Sequence, residues 1–381
     1  MLRILIVSSY FGNVIGGALN FIKDLSMELT ARGHSVYLLL DDRYKNLFSE
    51  KEFNIIWFSS AKITSYSISL SFLRIISKID VDIIHLHGYM SFQTDFGALV
   101  GFLRKIPVVL TPHGSLLGYD YLYDSSISKL PYIIHNVLTL KIPTRISKYV
   151  IATSQAEFRD CKRFGLPLDR IKLIPLSFSP PNYSKAKKKS DNRTKLLFVG
   201  RIVPLKNLKI LLETIKIIKN DIPKIEFVIV GDEISGRLRG DKGHKDQLIS
   251  IVKTLDIEEN VTFVGWKTDK ELWKYYLNSD LFLLGSTYEN FGRPLLEATS
   301  FGLPLISTDV GVAKDLIGND KGGIILQNLD VQYISDKIKE LLTNEQKYFE
   351  ASEHVKFQSK FFSIKSVVDE YEKIFQEVIK Y

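Results

Sequence analysis

The sequence contains a single cysteine, Cys161, so no disulfide can form within the chain. It also lacks any uninterrupted run of about 18 apolar residues, and we therefore expect no membrane-spanning helix. The apolar run at residues 4–7 is too short to be the core of a signal peptide. These three absences favour a cytoplasmic protein.

Composition excludes further classes of protein. With 45% hydrophobic and 25% charged residues, 12 prolines and 23 glycines among 381 residues, the chain is neither disordered nor collagen-like. Its length favours two domains of about 100 to 200 residues each. Because neither a Gly-x-Gly-x-x-Gly nor a Gly-Lys-Ser/Thr sequence is present, we expect neither an NAD-binding domain nor a P-loop.

Charge is unevenly distributed along the chain, whose formal net charge is +8. Residues 1–190 contain 24 Lys and Arg against 14 Asp and Glu, whereas the remainder contains 27 against 29. The first half therefore carries +10 and the second −2. A basic half and a near-neutral half suggest different partners.

Short apolar runs alternate with amphipathic stretches, which predicts an α/β protein with two doubly wound domains. We place these domains at residues 1–180 and 194–362, joined by a linker at 181–193 where proline, serine and lysine interrupt the periodicity. A last helix, at about 363–381, is expected to pack back on the first domain. The predicted strands are residues 3–8, 36–40, 81–86, 107–111 and 149–153 in the first half, and 195–200, 226–231, 261–265, 281–284, 304–308 and 323–326 in the second.

Two cations lie where such a sheet binds its ligands, at the carboxyl ends of strands. Arg201 follows a predicted strand, and Lys206 comes just before a helix that begins at Leu208, with Asn207 expected as its N-cap. Cations beside a helix N-terminus favour a dianion such as a pyrophosphate. For this segment alone, a solvated loop that happens to hold Arg and Lys is an equal alternative.

Two carboxylates lie further along, with Glu289 in a loop and Glu297 inside a helix that begins near Pro294. At a rise of about 1.5 Å per residue, they are no more than roughly 12 Å apart if the segment is largely helical. This is about the reach from the hexose to the ribose of a nucleotide sugar. Each carboxylate can accept hydrogen bonds from a pair of hydroxyl groups.

These motifs resemble those of the retaining glycosyltransferases of family 4. The resemblance is carried by Glu-Asn-Phe-Gly-Arg-Pro-Leu-Leu-Glu-Ala, which contains both carboxylates, and by residues 199–207. The family has the GT-B fold, in which two Rossmann-like doubly wound domains face each other across a cleft. Further matching segments, in the same order along the chain, are Gly16-Gly17 and residues 82–87, 111–114, 230–232 and 263–266.

The resemblance implies catalytic roles for four residues. Glu289 would hold the hydroxyls of the donor sugar, Arg201 and Lys206 would neutralise the diphosphate, and His113 would lie near the reacting face of the sugar. The co-substrate would be a UDP- or GDP-linked sugar, with no cofactor and no catalytic metal. The residues expected to bind the donor are Gly16, Gly17, Arg201, Lys206, Gly231, Val264, Trp266, Phe291, Gly292, Leu296 and Glu297.

The implied reaction is sugar transfer, with retention, to a glycan or lipid-linked saccharide in polysaccharide or glycoconjugate biosynthesis. The second domain would bind the donor and the first the acceptor. A GT-B epimerase or glycan phosphorylase would share these residues, and a basic, non-catalytic nucleic-acid-binding protein is a further alternative, although no interleaved basic and aromatic motif favours it. We attribute the charge of the first half to an anionic acceptor or the inner face of the cell membrane.

Of three further patterns, one argues against a metal site and two have more than one interpretation. We expect His85 and His87 to point to opposite faces of their strand, which argues against zinc. The apolar stripe in residues 65–80 suits a core-facing helix, or one lying in a membrane interface. The tyrosines between Tyr119 and Tyr132, beside Lys129, suit a lipid-facing or acceptor-binding surface, or simple packing.

Overall fold

The computed structural model describes residues 1–8, 17–47, 54–62, 66–122, 126–178, 193–233 and 242–380. Contacts within the chain divide it into two compact units, one of Met1–Phe178 with Phe362–Tyr381 and one of Ser179–Phe361. The last helix therefore belongs to the first unit. The predicted linker at 181–193 lies almost entirely outside the described residues.

Strands and helices alternate through both units. The strands are β1 (Arg3–Ser8), β2 (Ser35–Asp41), β3 (Asn54–Phe58), β4 (Ala61–Lys62), β5 (Ser67–Ile68), β6 (Ile83–His87), β7 (Val108–Thr111), β8 (Tyr149–Ala152), β9 (Ile171–Leu173), β10 (Thr194–Val199), β11 (Ile225–Val230), β12 (Val261–Gly265), β13 (Leu281–Leu284), β14 (Leu305–Thr308) and β15 (Gly323–Leu326). The helices are α1 (Gly17–Ala31), α2 (Leu70–Ile76), α3 (Phe92–Leu103), α4 (Gly118–Leu122), α5 (Ser126–Leu138), α6 (Ile142–Ile146), α7 (Gln155–Arg163), α8 (Leu208–Ile218), α9 (His244–Thr254), α10 (Asp269–Leu277), α11 (Arg293–Ser300), α12 (Ala313–Ile317), α13 (Val331–Thr343), α14 (Glu345–Ser359) and α15 (Ile364–Ile379). Short 3-10 helices occupy Asp42–Leu47, Leu168–Arg170, Pro204–Lys206, Glu258–Asn260 and Lys360–Phe362.

Each unit is built on a parallel sheet. Among the described residues, the first sheet has seven strands in the order β3-β2-β1-β6-β7-β8-β9, and the second has six in the order β12-β11-β10-β13-β14-β15. The direction of winding reverses between β1 and β6 in the first unit and between β10 and β13 in the second. Ligands of open α/β sheets bind at such switch points, beyond the carboxyl ends of the strands.

The predicted α/β architecture of two Rossmann-like units is confirmed, and every predicted strand is present with ends shifted by two residues at most. The prediction missed β3, β9 and the antiparallel pair β4-β5. β3 and β9 are the edge strands of the first sheet, and β9 is only three residues long. Three residues are too few to produce a clear apolar run, whereas β3 contains one at residues 55–58, a signal that the prediction overlooked.

Helices cover the sheets through apolar faces. The stripe of α8 that runs from Leu208 to Ile218 is buried, as its helical spacing predicts. The stripe of residues 65–80 faces the core, because Phe72 and Ile76 are fully buried and Phe72 contacts Phe58 edge-on at 5.2 Å. The structure thus decides against a membrane interface for α2.

The C-terminal helix is held to the first unit by apolar burial and by ion pairs. Tyr371 and Phe375 of α15 are fully buried. Arg32, at the end of α1, contacts Asp369 at 2.6 Å and Glu372 at 2.8 Å. In the described part of the chain, no helix combines the length and apolarity needed to cross a membrane.

Candidate functional site

The centre of the candidate site in the second unit is an ion pair between Lys206 and Glu289. Lys206 ends the 3-10 helix after β10, is only 7% exposed, and directs its Nζ at Oε1 of Glu289 in the loop after β13. Ser286 donates its hydroxyl to the same oxygen at 2.9 Å. Two predicted residues from opposite sides of the β10/β13 switch point are thus in contact. The pairing stabilises both, since a buried ammonium without a paired carboxylate would be strongly destabilising.

The loop that carries Lys206 is fixed by Asn207, in a way that differs from our expectation. Asn207 has a left-handed φ of 52°, and its side chain makes no capping bond to α8. Instead its Nδ2 donates to the carbonyl of Gly285 at 2.8 Å and to Thr287 Oγ1 at 2.9 Å. Asn207 thus occupies the N-cap position of α8 as predicted, but without a side-chain capping bond, because Asn tolerates the left-handed conformation and this geometry turns its side chain towards the β13 loop.

The turn into α11 places Phe291 and Gly292 next to Glu289. Gly292 has φ 79° and directly precedes α11. The carbonyl of Phe291 accepts a hydrogen bond from Val312 N at 2.7 Å, and a Cβ at Gly311 would overlap that carbonyl oxygen. Close approach of two backbones therefore determines the position of the Glu289 loop.

Glu297 is a buried carboxylate with two side-chain donors. Tyr276 donates its hydroxyl to Oε2 at 2.8 Å, and Arg293 donates Nε to Oε1 at 3.0 Å. Burial raises the pKa of Glu297, while Arg293 and Tyr276 oppose that shift. Leu296, predicted to contact the donor, is fully buried.

The residues predicted to frame the nucleobase follow β11 and β12, which are neighbours in the sheet. Gly231 has φ 140° and donates its N–H to the carbonyl of Gly265 at 2.9 Å, and a Cβ here would overlap the carbonyl oxygen of Gly200. Val264 is partly buried on β12, and Trp266, just beyond it, is 49% exposed. A large exposed aromatic ring at this edge can stack on a planar ligand.

Arg201 differs from Lys206 in having no fixed partner. Its side chain is partly buried beyond the end of β10, and within the described ranges its guanidinium makes no hydrogen bond or ion pair. It is therefore a cation available to an anionic ligand at the switch point.

In the first unit, His113 ends a chain of hydrogen-bonded histidines. His87 Nδ1 lies 2.8 Å from His113 Nε2, His87 Nε2 lies 3.2 Å from His85 Nδ1, and His85 Nε2 lies 2.8 Å from Thr111 Oγ1. The expectation that His85 and His87 point to opposite faces was wrong. Side chains alternate along a strand, so residues two apart share a face, and here the two rings are 4.0 Å apart.

Burial keeps these histidines neutral. It lowers the pKa of His85 and of His113 to about 3, and that of His87 also falls well below its usual value. A neutral imidazole carries one N–H, so all the ring hydrogen bonds in the chain must run in the same direction. At neutral pH, His113 is therefore a neutral hydrogen-bonding group without positive charge.

Sequence reasoning missed Glu157, which holds the His113 loop. This buried carboxylate accepts hydrogen bonds from the N–H of Gly114, from Thr153 N at 2.7 Å and from Thr153 Oγ1 at 2.6 Å. Burial raises its pKa. The available signal was Ser-x-x-Glu at 154–157, a capping-box pattern, and Ser154 does cap α7.

The remaining predicted positions are the glycine pair and the metal. Gly17 is the first residue of α1, and Gly16 lies outside the described residues. Among the described side chains, no group of three or more His, Cys, Asp and Glu is arranged to hold a metal ion.

Comparison with known proteins identifies the family. The family model described as Glycosyltransferase Family 4 matches residues 15–178, and the one described as Glycosyl transferases group 1 matches residues 180–357. The chain belongs to glycosyltransferase family 4. Its two matched segments together span both units of this glycosyltransferase.

Relatives and solved structures agree with that assignment. A UDP-Gal:alpha-D-GlcNAc-diphosphoundecaprenol alpha-1,3-galactosyltransferase of Escherichia coli is 28% identical over 69% of this chain and 66% of its own length. The N-acetyl-alpha-D-glucosaminyl L-malate synthase of Bacillus anthracis is 24% identical over 96% of this chain and 95% of its own length. The structure of Anabaena HepE in complex with UDP has a TM-score of 0.80 at 20% identity, covering 98% of this chain and all of that chain, which shows the GT-B fold.

Proposed function

We propose that this glycosyltransferase moves a sugar, with retention at the anomeric carbon and without a catalytic metal, from a nucleotide diphosphate sugar to a glycan or lipid-linked saccharide. The observation that carries the proposal is the contact of Lys206 with Glu289 at the β10/β13 switch point, with Glu297 on the adjoining helix. Both relatives have names that describe products or substrates built from sugars, and HepE binds UDP. We propose that the second unit binds the donor and the first the acceptor.

In this proposal, the diphosphate of the donor is neutralised by Arg201 and Lys206. Arg201 has no fixed partner among the described residues, whereas Lys206 would share its charge between Glu289 and the phosphate. The bond from the anomeric carbon to the phosphate oxygen breaks, the bond to the acceptor oxygen forms on the same face, and the departing phosphate takes the acceptor's proton. The cations stabilise the charge that develops on that oxygen.

Glu289 is proposed to orient the sugar rather than to attack it. Its Oε1 already accepts hydrogen bonds from Lys206 and Ser286, an arrangement that lowers its nucleophilicity and directs the carboxylate. Its other oxygen, Oε2, would accept hydrogen bonds from the sugar hydroxyls, and the N–H groups of Phe291 and Gly292 would donate to sugar oxygens. Glu297 would accept the ribose hydroxyls, with Gly231, Val264 and Trp266 around the base.

The acceptor side of the proposal rests on charge. The excess of +10 in residues 1–190 lies outside the donor site, so we assign it to an anionic acceptor or to the anionic inner face of the cell membrane. The name of the E. coli relative describes a sugar linked through diphosphate to undecaprenol, a lipid. His113, neutral and held by Glu157, would donate or accept a hydrogen bond at the sugar.

Thermal-shift screening against UDP-, GDP-, ADP- and dTDP-sugars identifies the donor, because a ligand that binds the folded state raises Tm. We expect Glu289→Ala to abolish transfer and Lys206→Ala to weaken donor binding. Lys209→Ala is the matched control, because this nearby lysine is 63% exposed and contacts only Glu213. Full activity of Glu289→Ala would refute the assignment, and turnover of a sugar 1-phosphate without nucleotide would indicate a phosphorylase.

A further inference from the structure

Helix α5 in the first unit has its apolar face turned towards solvent. Six aliphatic side chains along one side of the helix are between 46% and 82% exposed, and His135 is its only fully buried residue among those described. The exposed side chains are those of Ile127, Leu130, Ile133, Ile134, Val137 and Leu138. A contiguous exposed aliphatic face of this size marks an interaction surface.

Polar contacts on the opposite side of α5 fix this orientation. His135 Nε2 lies 2.8 Å from Oδ2 of Asp95, an α3 carboxylate that is itself 8% exposed. The hydroxyl of Tyr89 donates to Asn136 Oδ1 at 2.7 Å. Rotating α5 to bury its aliphatic face would break both contacts and leave the carboxylate of Asp95 without this partner in the protein interior.

Tyr119 and Tyr132 pack against each other, whereas Tyr123 lies outside the described residues. The ring of Tyr132 stacks on that of Tyr119 of α4 at 4.6 Å. Lys129 is directed inward, since its Nζ donates to the carbonyl of Asp120 at 3.2 Å. The outward face is therefore mainly aliphatic, with Ser126 at its start, and the aromatic ring of Tyr132 and the polar groups of Lys129, His135 and Asn136 lie on the other side.

The segment that begins with α5 and continues through β8 has basic but no acidic residues of its own. From residue 126 to residue 156 the sequence contains four Lys and Arg and no Asp or Glu. Two of these cations are exposed, Arg145 in the last turn of α6 and Lys148 just after that helix. A protein partner would be expected to meet aromatic and hydrogen-bonding groups at the centre of its interface, and the outward face of α5 has none at its centre.

We infer that the outward face of α5 inserts into the surface of an anionic lipid bilayer. The helix has 13 residues and a length of about 20 Å, which is enough to lie in the interface and too short to span the hydrocarbon core. Aliphatic side chains would enter the acyl boundary while Arg145 and Lys148 contact lipid phosphates. The inference deepens the proposed function and rests on it in one respect, because it assigns the surface by which the enzyme would reach a lipid-linked acceptor.

The test is sedimentation of the full chain with vesicles of phosphatidylcholine alone, or of phosphatidylcholine mixed with phosphatidylglycerol, at low salt. We expect wild type to bind the mixed vesicles more tightly. Ile134→Gln/Val137→Gln should weaken binding to both by about tenfold or more, since two aliphatic side chains no longer leave water. Arg145→Gln/Lys148→Gln should remove most of the preference for the anionic lipid.

The control is Leu168→Gln, which replaces an aliphatic side chain that is 57% exposed elsewhere in the first unit and should leave binding unchanged. Unchanged vesicle binding by a folded Ile134→Gln/Val137→Gln chain would overturn the inference. The inference would also be overturned if wild type formed a dimer without lipid and Ile134→Gln/Val137→Gln abolished that dimer, because the outward face of α5 would then join two copies of the chain. The shift in Tm caused by nucleotide sugars, measured on the same samples, distinguishes the membrane inference from the proposed function. If no nucleotide sugar shifts Tm, only the proposed function is contradicted.

Discussion

Replacing Tyr276 by Phe tests the proposed role of Glu297 without removing the carboxylate. The substitution deletes the hydroxyl that donates to Glu297 Oε2 at 2.8 Å. The phenyl ring should keep its place, because the ring of Tyr276 is fully buried and stacks on Phe301 at 5.4 Å. The principal change is therefore the loss of one hydrogen bond to a buried anion.

The magnitude follows from the worth of such a bond. A hydrogen bond to a charged group contributes about 1.5 to 3 kcal/mol, and one pKa unit corresponds to about 1.4 kcal/mol. The hydroxyl lowers the pKa of Glu297, which burial raises. Tyr276→Phe should therefore raise that pKa further, and the lost bond should lower the free energy of unfolding at neutral pH by about 1.5 to 3 kcal/mol.

The sign of the effect on donor binding is set by the ionised carboxylate, which accepts both ribose hydroxyls in our proposal. Donor affinity should fall as pH falls through the pKa of Glu297, and in Tyr276→Phe this fall should begin at higher pH. Stability has the opposite dependence. A carboxylate whose pKa is raised by folding favours the folded state at low pH, and this contribution is lost as pH rises through the raised value.

Isothermal titration of the donor between acidic and neutral pH provides the assay, with thermal unfolding measured across the same range. Tyr275→Phe is the matched control, because Tyr275 is the neighbouring tyrosine and its hydroxyl makes no hydrogen bond to a described residue. If Tyr276→Phe and Tyr275→Phe gave the same pH profile of donor affinity, Glu297 would not be the group that holds the ribose.

Three other outcomes follow from the site geometry. Gly231→Ala should lower the free energy of unfolding by roughly 3 kcal/mol or more, since the new Cβ would overlap the Gly200 carbonyl. The control is Gly165→Ala, where φ is 95° but space is open, and denaturant titrations should show a loss of only about 1 kcal/mol. Glu157→Gln should lower the free energy of unfolding by about 1 to 3 kcal/mol, because the amide NH2 would face N–H groups that now donate to the carboxylate. An unchanged denaturation midpoint would contradict this prediction. Sugar transfer should be unaffected by EDTA, and a loss restored by a divalent cation would revive a metal-dependent mechanism.

Much of the fold could be predicted from local sequence. The alternation of apolar strands with amphipathic helices is a short-range signal, and it predicted both units and all but their shortest or edge strands. The site was only partly predictable. Glu289 and Glu297 lie on one motif, but the ion pair of Glu289 joins it to Lys206, 83 residues earlier, and depends on β10 and β13 being adjacent in the sheet.

By itself, the sequence determined the α/β class, the family motifs, the basic first half and the apolar stripes of helices such as α2 and α8, because these depend on composition and on spacing along a few turns. Only the tertiary structure decided which groups meet. It joined His87 to His113 across β6 and β7, placed Glu157 under the loop of Gly114, and turned the aliphatic face of α5 outward. Periodicity shows that a helix has two faces, whereas the partners offered by the rest of the fold decide which face is buried.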